Sequence, residues 1–276
     1  MSVIVPAHDE EATIERCLRS LLEGAAEGEV EVVVACNGCT DRTEEIASGF
    51  GPPVTVVATD VASKRAALNL GDAAATGFPR FYLDADVGLT VDGLRKVAAA
   101  LEGGGALVAA PALALDAHRS SPIVRSYYRF FARLPSVAGD VAGRGVYALS
   151  EEGRHRFGEF PDVTGDDHFI RSSFPPEARV TVPEVTSHVE APRRFSALVR
   201  RKARILAGNR EVEELLGAPP GAQRRGGGLR AVLRDEPARV VDLPAYLLVG
   251  VAARALCAWA ALRGRPIAWG RDDSRG

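Results

Sequence analysis

Four short apolar runs, each followed by a stretch of helical periodicity, constrain the fold of this chain more than any other feature. They are "SVIVP" (2–6), "EVEVVVA" (29–35), "VTVVAT" (54–59) and "RFYLDAD" (80–86). After the first, Ile14, Cys17, Leu18, Leu21 and Leu22 recur at helical spacing. After the second, "TDRTEEIASGF" opens a helix, with Asp41 as N-cap and Glu44 three residues on. "ASKRAALNLGDAAA" and Thr90–Leu101 supply the next two helices, and "ALVAAPALAL" a fifth strand. Strands that alternate with helices of about a dozen residues predict an α/β fold: three layers, α/β/α, around a mostly parallel sheet. Ligands of such sheets bind beyond the carboxyl ends of the strands. The loops 6–11, 36–41, 59–64 and 84–88 are therefore expected on one rim. No G-x-G-x-x-G follows the first strand, which disfavours a dinucleotide fold.

The second half is less regular. "GRGVYALS" (Gly143–Ser150) reads as a strand and "TGDDHFIRSSF" as a turn into a helix. "RVTVPEVTSHVEA" is a strand with an internal Pro, hence an edge strand. "RFSALVRRKARILAGNREVEELLG" is a basic helix, and Ala218–Gly228 has the composition of a linker. The 276 residues suffice for one large domain, 1–217, with a helical appendage at 229–276.

Lys plus Arg total 34 against 36 Asp plus Glu, a net charge of −2, which gives no support to a nucleic-acid binder. Of the four cysteines, Cys36 and Cys39 form a C-x-x-C, the spacing of redox pairs and half zinc sites. No second pair at zinc spacing accompanies it, so a structural role is expected. The first strand begins almost at once, with no signal peptide ahead of it, and the catalytic part is expected in the cytoplasm. Leu243–Leu262 is near the ~20 residues that span a bilayer. Arg254 at its middle would cost ~2.5–3.5 kcal/mol there, and Asp242, Pro244 and Gly250 weaken it further. Tyr246 and Trp259, with Arg239, Arg263 and Arg265 flanking, suit a helix lying in the interface at the inner face of a membrane, with contact through 240–263. Packing on the domain or a partner, and spanning, stay open as alternatives.

Asp84 and Asp86 carry the sharpest chemical signal. Two carboxylates at a strand end repel unless a cation or donor groups intervene. Oxygen ligands at this spacing suit Mg²⁺ or Mn²⁺ bound together with substrate phosphates. A helix N-cap with a solvated neighbour explains the pair equally well when it is taken alone.

"VIVPAHDEEATIERCLRSLL", "ACNGCTDRT", "ASKRAALN" and "FYLDADV", in that order and spacing, resemble the family 2 glycosyltransferases, enzymes of the GT-A fold that use nucleotide-diphosphate sugars. The first block is similar to the family's P-x-x-N/D-E loop. The second is similar to its D-D-G/N-S-x-D-x-T, with Cys36 and Asn37 where the acidic pair commonly stands; the fourth is its D-x-D. The match covers roughly Ser2 to Glu190.

The resemblance implies that Pro6, Ala7 and Glu10 line the nucleoside pocket, with Glu10 near the ribose. It implies that Asn37 faces the base, an amide suiting a uracil edge, and that Lys64 reaches the base or diphosphate. Asp84 would hold ribose or metal-bound water, and Asp86 would ligate the metal that bridges the diphosphate. "VTGDDHF" is similar to the family's E-D motif, with Asp166 in place of the Glu and Asp167 at the general base. Attack opposite the diphosphate inverts the anomeric carbon. A helix N-terminus that favours negative charge is the plainer account of Asp166 and Asp167. His188 is a third metal-ligand candidate, since some relatives bring a late-strand His to the D-x-D cation; a lone edge-strand His is more often structural. His8, His118, His155 and His168 have no comparable placement. The basic helix lies where many members carry Q-x-x-R-W, which is missing here, so a processive polysaccharide synthase is disfavoured. Arg200 and Arg204, one turn apart, are candidate diphosphate contacts, or part of a solvated face.

On this reading 1–116 is the nucleotide-sugar-binding half of the domain and 117–217 the acceptor-binding half. The implied activity is a metal-dependent, inverting transfer from a nucleotide-diphosphate donor, a UDP-sugar, to a hydroxyl of a glycan or lipid-linked acceptor, as in polysaccharide or cell-envelope synthesis. Two rivals remain. A sugar-nucleotide nucleotidyltransferase shares the layered fold, but its first loop is Gly-rich and basic where "PAHDEE" is acidic. A nucleotide-sugar-binding pseudoenzyme would explain Cys36 and the missing Q-x-x-R-W.

Overall fold

The computed structural model describes residues 1–217 and 228–264. The expected linker, apart from Gly228, lies outside the described residues, as does Arg265. The first half runs β1 (Ser2–Ala7), α1 (Ile14–Leu22), β2 (Glu31–Asn37), α2 (Thr43–Ser48), β3 (Val54–Thr59), α3 (Lys64–Ala74), β4 (Arg80–Leu83), α4 (Val91–Glu102) and β5 (Val108–Asp116). Then follow α5 (Pro122–Phe131), α6 (Pro135–Ala138), β6 (Val146–Leu149), α7 (Glu151–His155), α8 (Asp166–Ser173) and β7 (Arg179–Glu190). Three helices end the described chain: α9 (Phe195–Leu215), α10 (Gly228–Asp235) and α11 (Leu243–Leu262).

The strands form one sheet in the order β3-β2-β1-β4-β6-β5-β7. β3, β2, β1 and β4 run parallel, with Ala7 beside Cys36, Asn37 beside Thr59, and Ile4 beside Tyr82. Their carboxyl ends therefore share one edge. The sheet is mixed, because β6 pairs antiparallel with both β4 and β5. The runs in β1, β2 and β4 are apolar without alternation because both faces are covered: Val3, Ile4, Val5, Val32, Val33, Val34 and Phe81 are fully buried. α1 buries Ile14, Cys17, Leu18 and Leu21, the stripe its spacing predicts. β7 lies at the sheet edge, as its internal Pro183 requires.

Two local expectations need correction. β4 ends at Leu83, so Asp84 opens the turn after the strand. Arg42, not Asp41, occupies the cap position of α2; the Asp41 carboxylate accepts from the Thr43 N–H one residue further in, at 3.0 Å.

The described chain divides into two compact units. The first comprises Met1–Ala114, Val141–Asp162 and Ile170–Val189, and thus holds most of the sheet. The second comprises Leu115–Asp140, Val163–Phe169 and the described residues from Glu190 on. Its core gathers Val124, Tyr127, Tyr128, Leu198 and Val249 from α5, α9 and α11. A second cluster joins Phe130, Leu134 and Val232.

A buried charge knot fixes the first unit. Asp72 of α3 accepts from Tyr82 Oη on β4 at 2.5 Å, and pairs with Arg80 at 2.8 Å and with Arg154 of α7 at 2.7 Å. Burial alone would raise the Asp72 carboxyl. The hydrogen bonds from Arg154, Tyr82 and Arg80 outweigh it and hold the group below the usual aspartate range.

Candidate active site

The site is built at the carboxyl edge of the parallel strands. After β4, residues alternate between core and rim: Ala85, Val87 and Leu89 are 3% exposed, whereas Asp84, Asp86 and Gly88 are half-buried. The two carboxylates therefore share one side while Ala85 anchors the turn between them. The Val87 N–H donates to the Asp84 carbonyl at 2.9 Å, closing that turn, and the Asp84 N–H donates to the Gly145 carbonyl at 2.8 Å. Gly145 has φ +67, and a Cβ there would collide with Val87 Cγ2. Only glycine lets the start of β6 approach the turn so closely.

Lys64 opens α3, capped by Ser63, whose Oγ accepts from the Ala66 N–H. Its Nζ lies 2.8 Å from Asp84 Oδ1, which offsets one carboxylate's charge. His188 on β7 forms an isolated antiparallel bridge with Gly88, two residues past Asp86. The edge strand thus brings the backbone of His188, an exposed residue, beside the turn that holds both aspartates. Two hard carboxylates and one imidazole, offered at a strand end, are a donor set suited to Mn²⁺ or Mg²⁺. Among the described residues no three His, Cys, Asp or Glu side chains are already grouped closely enough to enclose an ion.

The loops after β1 and β2 make the adjoining surface. Ala7 is buried and Pro6 and Glu10 are half-buried. The Glu10 N–H donates to Thr43 Oγ1 at 2.7 Å, and its carboxylate accepts from Thr13 Oγ1. Asn37 is 1% exposed, and its Nδ2 donates to the Ala7 carbonyl at 2.9 Å. Its buried Oδ1 has no hydrogen-bond partner, an unmade bond that costs about 1–3 kcal/mol. Cys36 is buried, and burial pushes its thiol up to about 12. It stays protonated at neutral pH, which does not suit a redox-active thiolate. All four cysteines are unpaired.

Two further residues of the 6–11 loop, one of them the His8 set aside on sequence, join these loops. His8 Nδ1 lies 2.6 Å from the Asn37 carbonyl, so Nδ1 is the protonated, donating nitrogen. Asp9 takes a left-handed conformation, φ 53, and accepts from the Thr40 N–H at 2.6 Å. Their position directly after the first apolar strand was the available signal.

Asp166, Asp167, Arg200 and Arg204 lie in the second unit. Asp166 is buried and Asp167 half-buried in the first turn of α8, where Asp167 Oδ1 accepts from the His168 N–H at 2.7 Å. Both carboxylates thus also meet the helix N-terminal preference for negative charge. The loop before them rests on α9: a Cβ at Gly208 would meet Thr164 Cβ at 3.1 Å, and the Thr164 N–H donates to Glu211 at 2.8 Å. Arg200 of α9 is exposed and Arg204 half-buried.

Comparison with known proteins agrees with this architecture. The family model "Glycosyl transferase family 2" matches residues 2–142, just over half of the chain. Among curated protein sequences none matches significantly. Among solved structures, the mannosyltransferase PcManGT from Pyrobaculum calidifontis, in complex with GDP-Man and Mn²⁺, is similar with a TM-score of 0.63 at 24% identity, over 95% of this chain and 79% of that one. Glucosyl-3-phosphoglycerate synthase from Mycobacterium tuberculosis, in complex with Mn²⁺, UDP and phosphoglyceric acid, is similar with a TM-score of 0.57 at 22% identity, over 79% of this chain and 78% of that one. The same enzyme with UDP-glucose gives 0.56, over 79% and 80%. The mixed seven-stranded sheet with flanking helices is thus the GT-A fold, and the chain belongs to the family 2 glycosyltransferases.

Proposed function

We propose that the protein transfers a sugar from a nucleotide-diphosphate donor, a UDP-sugar, to a hydroxyl of a glycan or lipid-linked acceptor, with a bound Mn²⁺ or Mg²⁺. The observation that supports this reading is the turn at the end of β4, where Lys64 pairs with Asp84, Asp86 follows two residues on, and the backbone of His188 bridges Gly88. Solved relatives of the same fold were crystallised with Mn²⁺ and with GDP-Man or UDP-glucose, which supports the donor class.

Asp86 would ligate the ion, with His188 as the third candidate ligand; Asp84, already paired with Lys64, would hold the ribose or water at the ion. The bound ion supplies Lewis-acid stabilisation of the leaving diphosphate. Lys64 adds fixed positive charge beside that position, and Arg200 and Arg204 hold the diphosphate oxygens bidentately. Asn37 Oδ1 accepts the uracil N3–H, which completes its unmade bond. Pro6, Ala7 and Glu10 hold the nucleoside. Asp167 takes the proton of the acceptor hydroxyl as its oxygen attacks the anomeric carbon opposite the diphosphate, with inversion. Asp166 supports the helix start that presents Asp167.

The test is a panel of UDP- and GDP-sugars incubated with the full chain and Mn²⁺, read as slow release of nucleoside diphosphate. One UDP-sugar is expected to be hydrolysed, and Asp86→Ala to abolish release and weaken donor binding by calorimetry. Binding without turnover would turn the reading toward a pseudoenzyme. Pyrophosphate release from a nucleoside triphosphate would turn it toward a nucleotidyltransferase. Unchanged hydrolysis by Asp86→Ala would remove the metal assignment.

A further inference from the structure

Apart from Arg254, α11 is apolar on all sides, yet only one side is covered. Val249, Ala253 and Ala260 are buried as the helix packs on α9 and α5. On the opposite side Leu247, Leu248, Val251, Trp259 and Leu262 are 47, 49, 64, 48 and 88% exposed. Val240 and Val241, just before the helix, extend the patch at 55 and 74%. These seven large apolar side chains stand exposed on or just before one helix, the kind of surface that marks an interaction site.

The charges beside the patch select its occupant. From Leu243 to Gly264 the sequence has two charged residues, Arg254 and Arg263, and no acid. Arg254 donates to the Gly250 carbonyl of its own helix at 3.1 Å, and Arg263 lies over the Trp259 ring at 4.5 Å. Among the described residues neither has a carboxylate within ion-pair distance. A second copy docked through the same face would bury the Arg254 of each copy against a helix that carries no acid, at high cost. A lipid surface instead lets the stem lie along the acyl chains while the guanidinium reaches a phosphate. An aromatic side chain beside an Arg at the helix end is likewise the composition of a headgroup boundary.

We propose that the exposed face of α11 is a membrane-docking surface for anionic phospholipid. The helix lies in the interface plane, with its covered face still on α9 and α5. The inference is independent of the sugar-transfer reading.

The test uses the full chain with vesicles of phosphatidylcholine, alone or mixed with phosphatidylglycerol, read by co-flotation. The sequence has two tryptophans, so a Trp269→Phe background leaves Trp259 as the fluorescent probe. Mixed vesicles are expected to float the protein and shift Trp259 emission to the blue. Arg254→Gln should weaken binding about fivefold, the effect of one surface Arg, on mixed vesicles only. Val251→Glu, on the exposed side, should weaken binding about tenfold or more while the circular dichroism is kept. No flotation, or an unmoved Trp259 spectrum, would overturn the proposal. So would a stable dimer in sedimentation that Val251→Glu dissociates.

Discussion

Replacing Asp72 by Asn tests the structural argument at a point where its magnitude can be worked out. The Asp72, Arg80 and Arg154 side chains are 8, 14 and 13% exposed, so water screens the cluster little. Removing the one carboxylate leaves two guanidiniums in low dielectric without a counter-charge. Breaking a buried pair in this way costs about 3–5 kcal/mol. Asn keeps the shape and one acceptor oxygen, so about 3 kcal/mol is expected for Asp72→Asn, and nearer 5 for Asp72→Ala. At about 2–4 °C per kcal/mol for a domain of this size, Asp72→Asn should melt roughly 6–12 °C below wild type. The pH dependence is a second handle. The folded carboxyl lies below its ordinary value, so its contribution is complete above the unfolded aspartate pKa of about 3.9 and is lost as the pH falls through the folded value. The gap between wild type and variant should be constant near neutrality and narrow in acid. The knot ties the amino end of β4, whereas the site stands at the carboxyl end, so the folded variant should keep its donor affinity at room temperature. Urea denaturation and thermal melts followed by circular dichroism, from neutral pH into acid, read both quantities. A neutral-pH loss below about 1 kcal/mol, or a gap that widens in acid, would refute the reasoning.

Two more predictions concern the site. Asp167→Asn should abolish transfer while donor binding, measured by calorimetry, stays near wild type; an active variant would sink the base assignment. Cys17 and Cys36, 3 and 1% exposed and with thiols pushed up to about 12, should resist iodoacetamide in the native state and react only after denaturation. Mass spectrometry of alkylated peptides reads this, and rapid native labelling of Cys36 would show the loop to be open or the thiol activated.

The parts of the fold legible in the sequence are those in which one physical cause fixes one pattern. Burial on both faces makes "VIV" and "VVVA" continuous, and burial on one face spaces Ile14, Cys17, Leu18 and Leu21. The direction of β6 had no such mark. Its four residues, Val146–Leu149, are apolar throughout and read the same whether parallel or antiparallel. The Asp72 knot was equally hidden. It joins Asp72, Arg80 and Arg154, and nothing local distinguishes that acid from the others among 36.

The site shows the same division. The carboxylate spacing of "DAD" was visible, but alone it fitted a helix cap as well as a cation. The fold separates these accounts: Thr90, not either aspartate, caps α4, its Oγ1 accepting from the Gly93 N–H at 3.3 Å. Neither aspartate is the N-cap of α4; both stand in a turn closed by the Asp84–Val87 bond and pinned by Ala85 in the core. His188 reaches the turn by its bridge to Gly88 across a hundred residues of sequence, a pairing set by how β7 lies along the sheet edge. Helix capping therefore does not account for Asp84 and Asp86. The two carboxylates stand two residues apart in a turn held by the fold, and Lys64 offsets the charge of Asp84.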